Sequence, residues 1–214
     1  MTLKAVISDF GGVLTTPLMR AFAALQDEIG IEAGTLGRAM QRIAEREGEH
    51  PLYELERGRT TEEGFLEQLS SEVAADLGYE PELRRFRQIY FDALGVNDAM
   101  IDSMRDARAR GFRMALLTNN VREWEPQWRA MVPIDEIFEL VVDSAFVGMR
   151  KPERAIYELT VERLGDGIDP ADCLFVDDVE VNVEAARELG MRGIHFRSND
   201  QAIPEIEAAL DGGA

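Results

Sequence analysis

Four short segments of this chain concentrate groups able to handle a charged substrate: Asp9-Phe10-Gly11-Gly12-Val13-Leu14, Thr118-Asn119-Asn120, Arg150-Lys151-Pro152 and Val176-Asp177-Asp178. Asp9, Asp177 and Asp178 are carboxylates, and gathered in one place they repel unless a cation or a proton sits among them. Hard oxygen donors without histidine or cysteine suit Mg²⁺, which keeps several waters and binds through one or two carboxylates plus phosphate. A lysine and a threonine hydroxyl opposite such an ion would hold the remaining oxygens of a phosphoryl group. Phosphoryl transfer needs little beyond this positioning and charge neutralisation. Of the 23 basic residues only Lys4 and Lys151 are lysines, so a lysine at this place in an arginine-rich chain carries information.

The chemistry requires elements that bring these segments together. Leu3 to Ser8 is a short apolar run ending at Asp9 and the Gly11-Gly12 turn, which reads as a buried strand and a tight loop. Further buried strands are expected at Phe112 to Leu117, Leu140 to Val142, Leu174 to Val176 and Ile194 to Phe196. Helices are expected between them: one after Asn97, a candidate N-cap, ending at Gly111; one opened by Pro152 and running to about Leu164; one marked by Val179, Val183 and Ala186; and one striped by Ile203, Ile206 and Leu210. Strands alternating with helices imply an α/β fold, a Rossmann-like doubly wound parallel sheet with right-handed crossovers. Each chemical segment follows a strand, and in such a sheet ligands bind at the carboxyl ends of the strands.

Residues 17–92 break this rhythm. They are rich in Ala, Leu, Glu, Arg and Gln, carry no strand signal, and read as helices near 18–29, 34–47, 61–77 and 81–92, with Gly48 to Pro51 as a separator. The expected organisation is an α/β core domain of residues 1–16 and 93–214 and an inserted helical cap domain of residues 17–92.

The whole chain has 214 residues and a formal net charge of −18. That charge opposes a surface that coats nucleic acid, which needs basic patches to displace counterions, and opposes docking on anionic membranes. Cys173 is the only cysteine, so no intrachain disulfide or cysteine zinc site can form, which fits a reducing cytoplasm. The apolar N-terminal run is too short for a signal peptide, and no stretch of 18 apolar residues provides a transmembrane helix.

The four segments, in this order, resemble the four motifs of the haloacid dehalogenase superfamily of phosphatases, and the resemblance spans nearly the whole chain. The insertion is similar to the helical cap of that superfamily's first cap class, with Glu54 to Glu63 like a common cap-helix junction. The Asp-Phe-Gly-Gly-Val-Leu form is closest to a branch that includes the N-terminal phosphatase domain of soluble epoxide hydrolases. The resemblance implies Mg²⁺-dependent hydrolysis of small phosphorylated metabolites through an aspartyl-phosphate. Asp9 would be the nucleophile and a metal ligand, and the Gly11 carbonyl a second ligand. Asp178 would bind Mg²⁺ directly, and Asp177 directly or through water. Thr118 and the Asn119 amide would bind phosphoryl oxygens, and Lys151 would neutralise nucleophile and phosphate. Asn120 and Trp128 are candidates for contact with the substrate.

Gly11 departs from the phosphatase pattern, which has there an aspartate acting as general acid and base. Losing such a group removes about 10²–10⁴-fold in rate. A catalytically weak binding protein and a haloacid dehalogenase therefore stand as alternatives, and a phosphatase built this way should favour esters with good leaving groups. Ordinary structural roles compete for each residue: Asp9 as a turn residue, Thr118 as a helix cap, Lys151 as a surface charge, Asp177-Asp178 as an N-cap pair. Trp128 and His195 read as core residues, while Glu54 and Glu125 are distant candidates to reach the site.

Overall fold

The computed structural model describes residues 2–16, 23–24, 26–165 and 167–212. Its centre is a five-stranded sheet of β1 (Ala5–Ser8), β2 (Arg113–Thr118), β3 (Leu140–Asp143), β4 (Cys173–Asp177) and β5 (Arg192–His195). The spatial order is β3-β2-β1-β4-β5, and all pairings are parallel. β1 lies in the middle, its four residues buried on both faces, which is why it reads as a continuous apolar run rather than an alternating one.

Side-chain alternation divides the core in two. Val6, Met114, Leu116, Leu174 and Val176 face one way and join Met100, Met104, Ala202 and Ile206. Ala5, Ile7, Ala115, Leu117 and Phe175 face the other way and join Ile156, Tyr157, Val161, Val183 and Ala186.

Eleven helices with settled bounds are numbered in chain order. Four lie between β1 and β2 before the crossover helix: α1 (Thr35–Glu47), α2 (Pro51–Glu56), α3 (Glu62–Leu77) and α4 (Phe86–Asp92). The others are α5 (Asp98–Ala109), α6 (Glu125–Met131), α7 (Ile134–Ile137), α8 (Ser144–Val147), α9 (Arg154–Leu164), α10 (Glu180–Glu188) and α11 (Asn199–Leu210). α5 and α11 cover the first face of the sheet; α9 and α10 cover the second. No helix among the described residues is long and apolar enough to cross a membrane.

Half of the expected helix 18–29 lies outside the described residues; of the rest, 23–24 and 26–28 are helical. The break expected at Gly48 to Pro51 ends one residue early: Pro51 is the first residue of α2, where its missing N–H costs nothing. The helix expected from 81 starts only at Phe86. The helix expected from Pro152 starts at Arg154, with Glu153 as its N-cap. Asn97 does occupy the N-cap of α5, but its side chain makes no cap bond. Instead its Nδ2 donates to the Val13 carbonyl at 2.8 Å, tying the loop after β1 to the start of α5.

The insertion leaves and re-enters the sheet at adjacent points. Thr15 and Val96 form an antiparallel bridge. Thr16 N donates to Gly95 O, and Asn97 N to Leu14 O, both at 2.9 Å. Apolar packing is continuous across this junction. Phe65, Phe86 and Tyr90 of the insertion share one cluster with Phe10, Trp124 and Trp128, through ring pairs such as Tyr90–Trp124 at 4.7 Å and Phe86–Trp124 at 6.0 Å.

Candidate active site

Asp9 follows the last residue of β1, and its N–H donates to Val176 O of β4 at 2.9 Å, so the sheet hydrogen-bonding sets its position. Its Oδ1 lies 2.7 Å from Lys151 Nζ, which lies 2.6 Å from Asp177 Oδ2. Lys151 is 1% exposed and Asp177 fully buried. An ammonium can stay charged in such a place only when paired and hydrogen-bonded. Burial alone would lower the Lys151 pKa, but Asp177 and Asp9 more than offset it and hold it above the ordinary lysine value.

Asp177 is the fixed member of the group. Its Oδ1 accepts from Val179 N at 2.8 Å and from Asn182 Nδ2 at 3.0 Å. With Lys151 on Oδ2, both oxygens are engaged. Asp178 is half-buried beside it, and His195 Nε2 donates to its carbonyl at 3.1 Å. Burial raises the Asp9 and Asp178 carboxyls above the ordinary aspartate value, Lys151 pulls both back, and Asp177 raises both further. Burial is the larger cause for both, and the imbalance of three carboxylates against one ammonium adds to it.

That imbalance fits a divalent cation. Asp9, Asp177 and Asp178 each offer an oxygen within 4.8 Å of the others, an all-oxygen donor set suited to a hard ion. The loop after β1 is shaped for this approach. Gly12 takes the left-handed conformation (φ +78°), and a β-carbon there would stand 2.0 Å from Asp178 Oδ2. The left-handed turn position is thus Gly12 rather than Gly11.

The residues of the second and third segments meet this cluster. Thr118, 1% exposed, ends β2. The Asn119 carboxamide spans the Lys151 residue: its Oδ1 accepts from Lys151 N at 2.8 Å, and its Nδ2 donates to Lys151 O at 3.0 Å. It thereby holds the lysine backbone, and its side chain is committed. Asn120 Oδ1 accepts from Val121 N at 2.9 Å, and Asn120 N donates to Ser144 Oγ at 3.0 Å.

One cavity of about 430 Å³ opens on the cluster. Asp9, Gly11, Thr118, Asn119, Lys151 and Asp178 line its polar end, and Asn120 and Trp128 also line it; Asp177 lies behind the wall. Beyond it the wall is largely apolar, with Leu52, Leu55, Phe65, Phe86, Tyr90, Phe91, Leu94 and Trp124, and carries Glu56 and Arg150 as a charged pair. Trp128 is both core and wall, packed on Phe10 and 1% exposed.

The sequence model of the haloacid dehalogenase-like hydrolases matches residues 3–190. The chain belongs to the haloacid dehalogenase-like hydrolases. Among such relatives, bifunctional epoxide hydrolase 2 of Sus scrofa is 27% identical over 97% of this chain and 39% of its own, so the chain spans about two fifths of that protein's length. The sesquiterpene phosphatase of Aspergillus oryzae is 29% identical over 96% of this chain and 95% of its own. The fold matches a haloacid dehalogenase family enzyme of Bacteroides thetaiotaomicron, solved with magnesium and inorganic phosphate, at a TM-score of 0.64 and 21% identity over 91% and 94% of the two chains.

Within this hydrolase Asn182 and Glu56 matter although the sequence reading gave them no role, and Arg150, named there only within the third segment, matters as the partner of Glu56. Asn182 braces Asp177 from the first turn of α10; its place five residues after Asp177 was the available signal. Glu56 and Arg150 line the cavity together, with Arg150 Nε donating to Glu56 Oε2 at 2.7 Å and the Arg150 guanidinium 3.8 Å from the Tyr53 ring centre. The acids weighed as distant candidates do not line it. Glu54 pairs with Arg59 at 2.9 Å, and Glu125 with Arg129 at 2.9 Å.

Proposed function

We propose that this chain is a Mg²⁺-dependent phosphatase that cleaves phosphate monoesters through an aspartyl-phosphate on Asp9. The supporting observation is the Lys151 ammonium shared by Asp9 and Asp177 at 2.7 and 2.6 Å, in the cavity that Thr118 and Asp178 also line. Asp9, the Gly11 carbonyl and Asp178 would hold the ion. Bound Mg²⁺ supplies neutralisation of charge on the phosphoryl oxygens.

The protein groups divide the remaining work. Asp9 attacks phosphorus with one carboxylate oxygen, and the acyl phosphate so formed is labile to water. Lys151 offsets the charge of Asp9 and of the phosphoryl group. Thr118 Oγ1 and the Asn119 main-chain N–H donate to phosphoryl oxygens, since the Asn119 side chain is taken. Asp177, with both oxygens engaged, positions Lys151.

Residues 17–92 act as a cap over the strand ends, joined to the core of residues 1–16 and 93–214 through the paired linkers at Thr15–Thr16 and 92–96. Closure of such a cap excludes water and selects the ester. The cavity wall favours a small monoester whose alcohol is bulky and apolar, a class to which the substrate named for the Aspergillus relative belongs. A free buried thiol at Cys173 accords with a cytoplasmic setting.

Hydrolysis of 4-nitrophenyl phosphate with and without Mg²⁺ tests the reading. Turnover should require the ion and vanish in Asp9→Asn, with the variant still folded. Wild-type turnover retained in Asp9→Asn refutes covalent catalysis at Asp9.

A further inference from the structure

Gly11 leaves the loop after β1 without an acid, yet the cavity carries another carboxyl. In-line attack by Asp9 sends the departing ester oxygen to the side of phosphorus away from Asp9, into the cavity. A proton donor for that oxygen must therefore stand on the far wall. Besides Asp9 and Asp178, Glu56 of α2 is the carboxyl that lines this cavity among the described residues. The phenols there are poorer donors: burial pushes Tyr90 well above the ordinary tyrosine value, and Tyr53 is 36% exposed with its ring against Arg150.

We propose, building on the phosphatase reading, that Glu56 is the general acid and base of this enzyme, taking from the insertion the role that a side chain at position 11 lacks. Arg150 positions it through the 2.7 Å Nε–Oε2 bond, which leaves Oε1 for the substrate. Arg57, on the same turn, pairs with Glu153 at 2.7 Å, and so a second contact ties α2 to the loop that carries Lys151. Burial raises the Glu56 carboxyl above the ordinary glutamate value, and the facing cations Arg150, Lys151 and Arg57 pull it back.

The proton balance closes within these groups. As Asp9 bonds to phosphorus and the P–O ester bond breaks, the Glu56 carboxyl gives its proton to the departing oxygen, and a neutral alcohol leaves. The resulting Glu56 carboxylate takes a proton from the water that attacks phosphorus of the aspartyl-phosphate. Inorganic phosphate leaves, Asp9 is again a carboxylate, and Glu56 is again protonated.

The test compares kcat/KM of wild type and Glu56→Gln for 4-nitrophenyl phosphate and n-octyl phosphate, across pH, with Tm measured for each protein. An aryl oxide departs as a weak base and needs little protonation; an alkoxide needs much. Glu56→Gln should lose about 10²-fold or more on the octyl ester and less than about tenfold on the aryl ester. The wild-type octyl rate should fall at high pH as Glu56 deprotonates, and this limb should be absent from the variant. Equal losses on both esters, or an unchanged octyl rate, overturn the assignment. Aryl turnover by the wild type reports separately on the phosphatase reading: its absence refutes that reading, whereas its presence with an unchanged ester ratio refutes Glu56 alone.

Discussion

Asp178 Oδ2 occupies the place where the β-carbon of any residue other than glycine at position 12 would stand, 2.0 Å from it. The first and last of the four chemical segments therefore interlock through an absent side chain. Gly12→Ala must both adopt φ near +78° and displace this carboxylate. The conformational part alone costs about 1–2 kcal/mol. We expect a lower Tm by thermal unfolding and, on the proposed function, loss of 4-nitrophenyl phosphate hydrolysis. The same change at Gly30, where a β-carbon meets nothing within 4 Å, should cost only the conformational part.

Mg²⁺ should raise Tm by mass action, since the ion binds the assembled carboxylates and not the unfolded chain; at 100 times Kd the gain is about 2.7 kcal/mol. Asp178→Ala should abolish the rise. A titration followed by differential scanning fluorimetry decides this without reference to turnover, and an undiminished response in Asp178→Ala would remove Asp178 from the ligand set.

Asp143 gives a pH dependence that can be separated from the cluster. Burial pushes its carboxyl up to about 7, Glu125 raises it further, and the Ala145 N–H, Arg129 and Arg122 oppose. A carboxyl whose folded pKa is raised binds its proton more tightly when folded. Its favourable contribution is full below the unfolded value of about 4 and is lost as pH rises toward 7. Asp143→Asn keeps an oxygen for the Ala145 N–H, which donates to Oδ1 at 2.9 Å in the wild type. The stability of the variant relative to wild type should rise as pH goes from 4 to 8, read from urea unfolding at each pH.

The apolar wall predicts chain-length selectivity. Each methylene of an alkyl phosphate buried against Phe86, Phe91 and Leu94 should add up to about 0.8 kcal/mol to transition-state binding until the cavity is full. kcat/KM should rise from ethyl to octyl phosphate in the wild type, and Phe91→Ala should flatten the series. A flat wild-type series would show that the wall is core and not a substrate surface.

Installing the missing acid tests the loop directly. Because the left-handed residue is Gly12, Gly11→Asp carries no penalty of that kind. In the Glu56→Gln background it should raise octyl phosphate turnover more than aryl turnover, read as the ratio of the two kcat/KM values.

The sequence by itself determined the sheet, the segments at its strand ends and most of the polar cluster. Runs such as Ala5–Ser8 and Cys173–Asp177 are buried on both faces, so their composition alone marks them as parallel strands, and parallel strands carry their C-terminal residues to one edge. Asp9, Thr118, Lys151 and Asp178 follow from that local logic. Only the tertiary structure decided where side chains aim once they arrive. Asn119 turns its carboxamide to the Lys151 backbone, Asn97 reaches Val13 and caps nothing, and Asp177 is consumed by Lys151, Val179 and Asn182. Each of these partners is distant in sequence or set by a helix that forms later in the chain. The choice of Glu56 over Glu54 has the same origin. Two residues apart on one helix, they point about 200° away from each other, and only the packing of α2 against the 150–153 loop selects which of them meets the cavity.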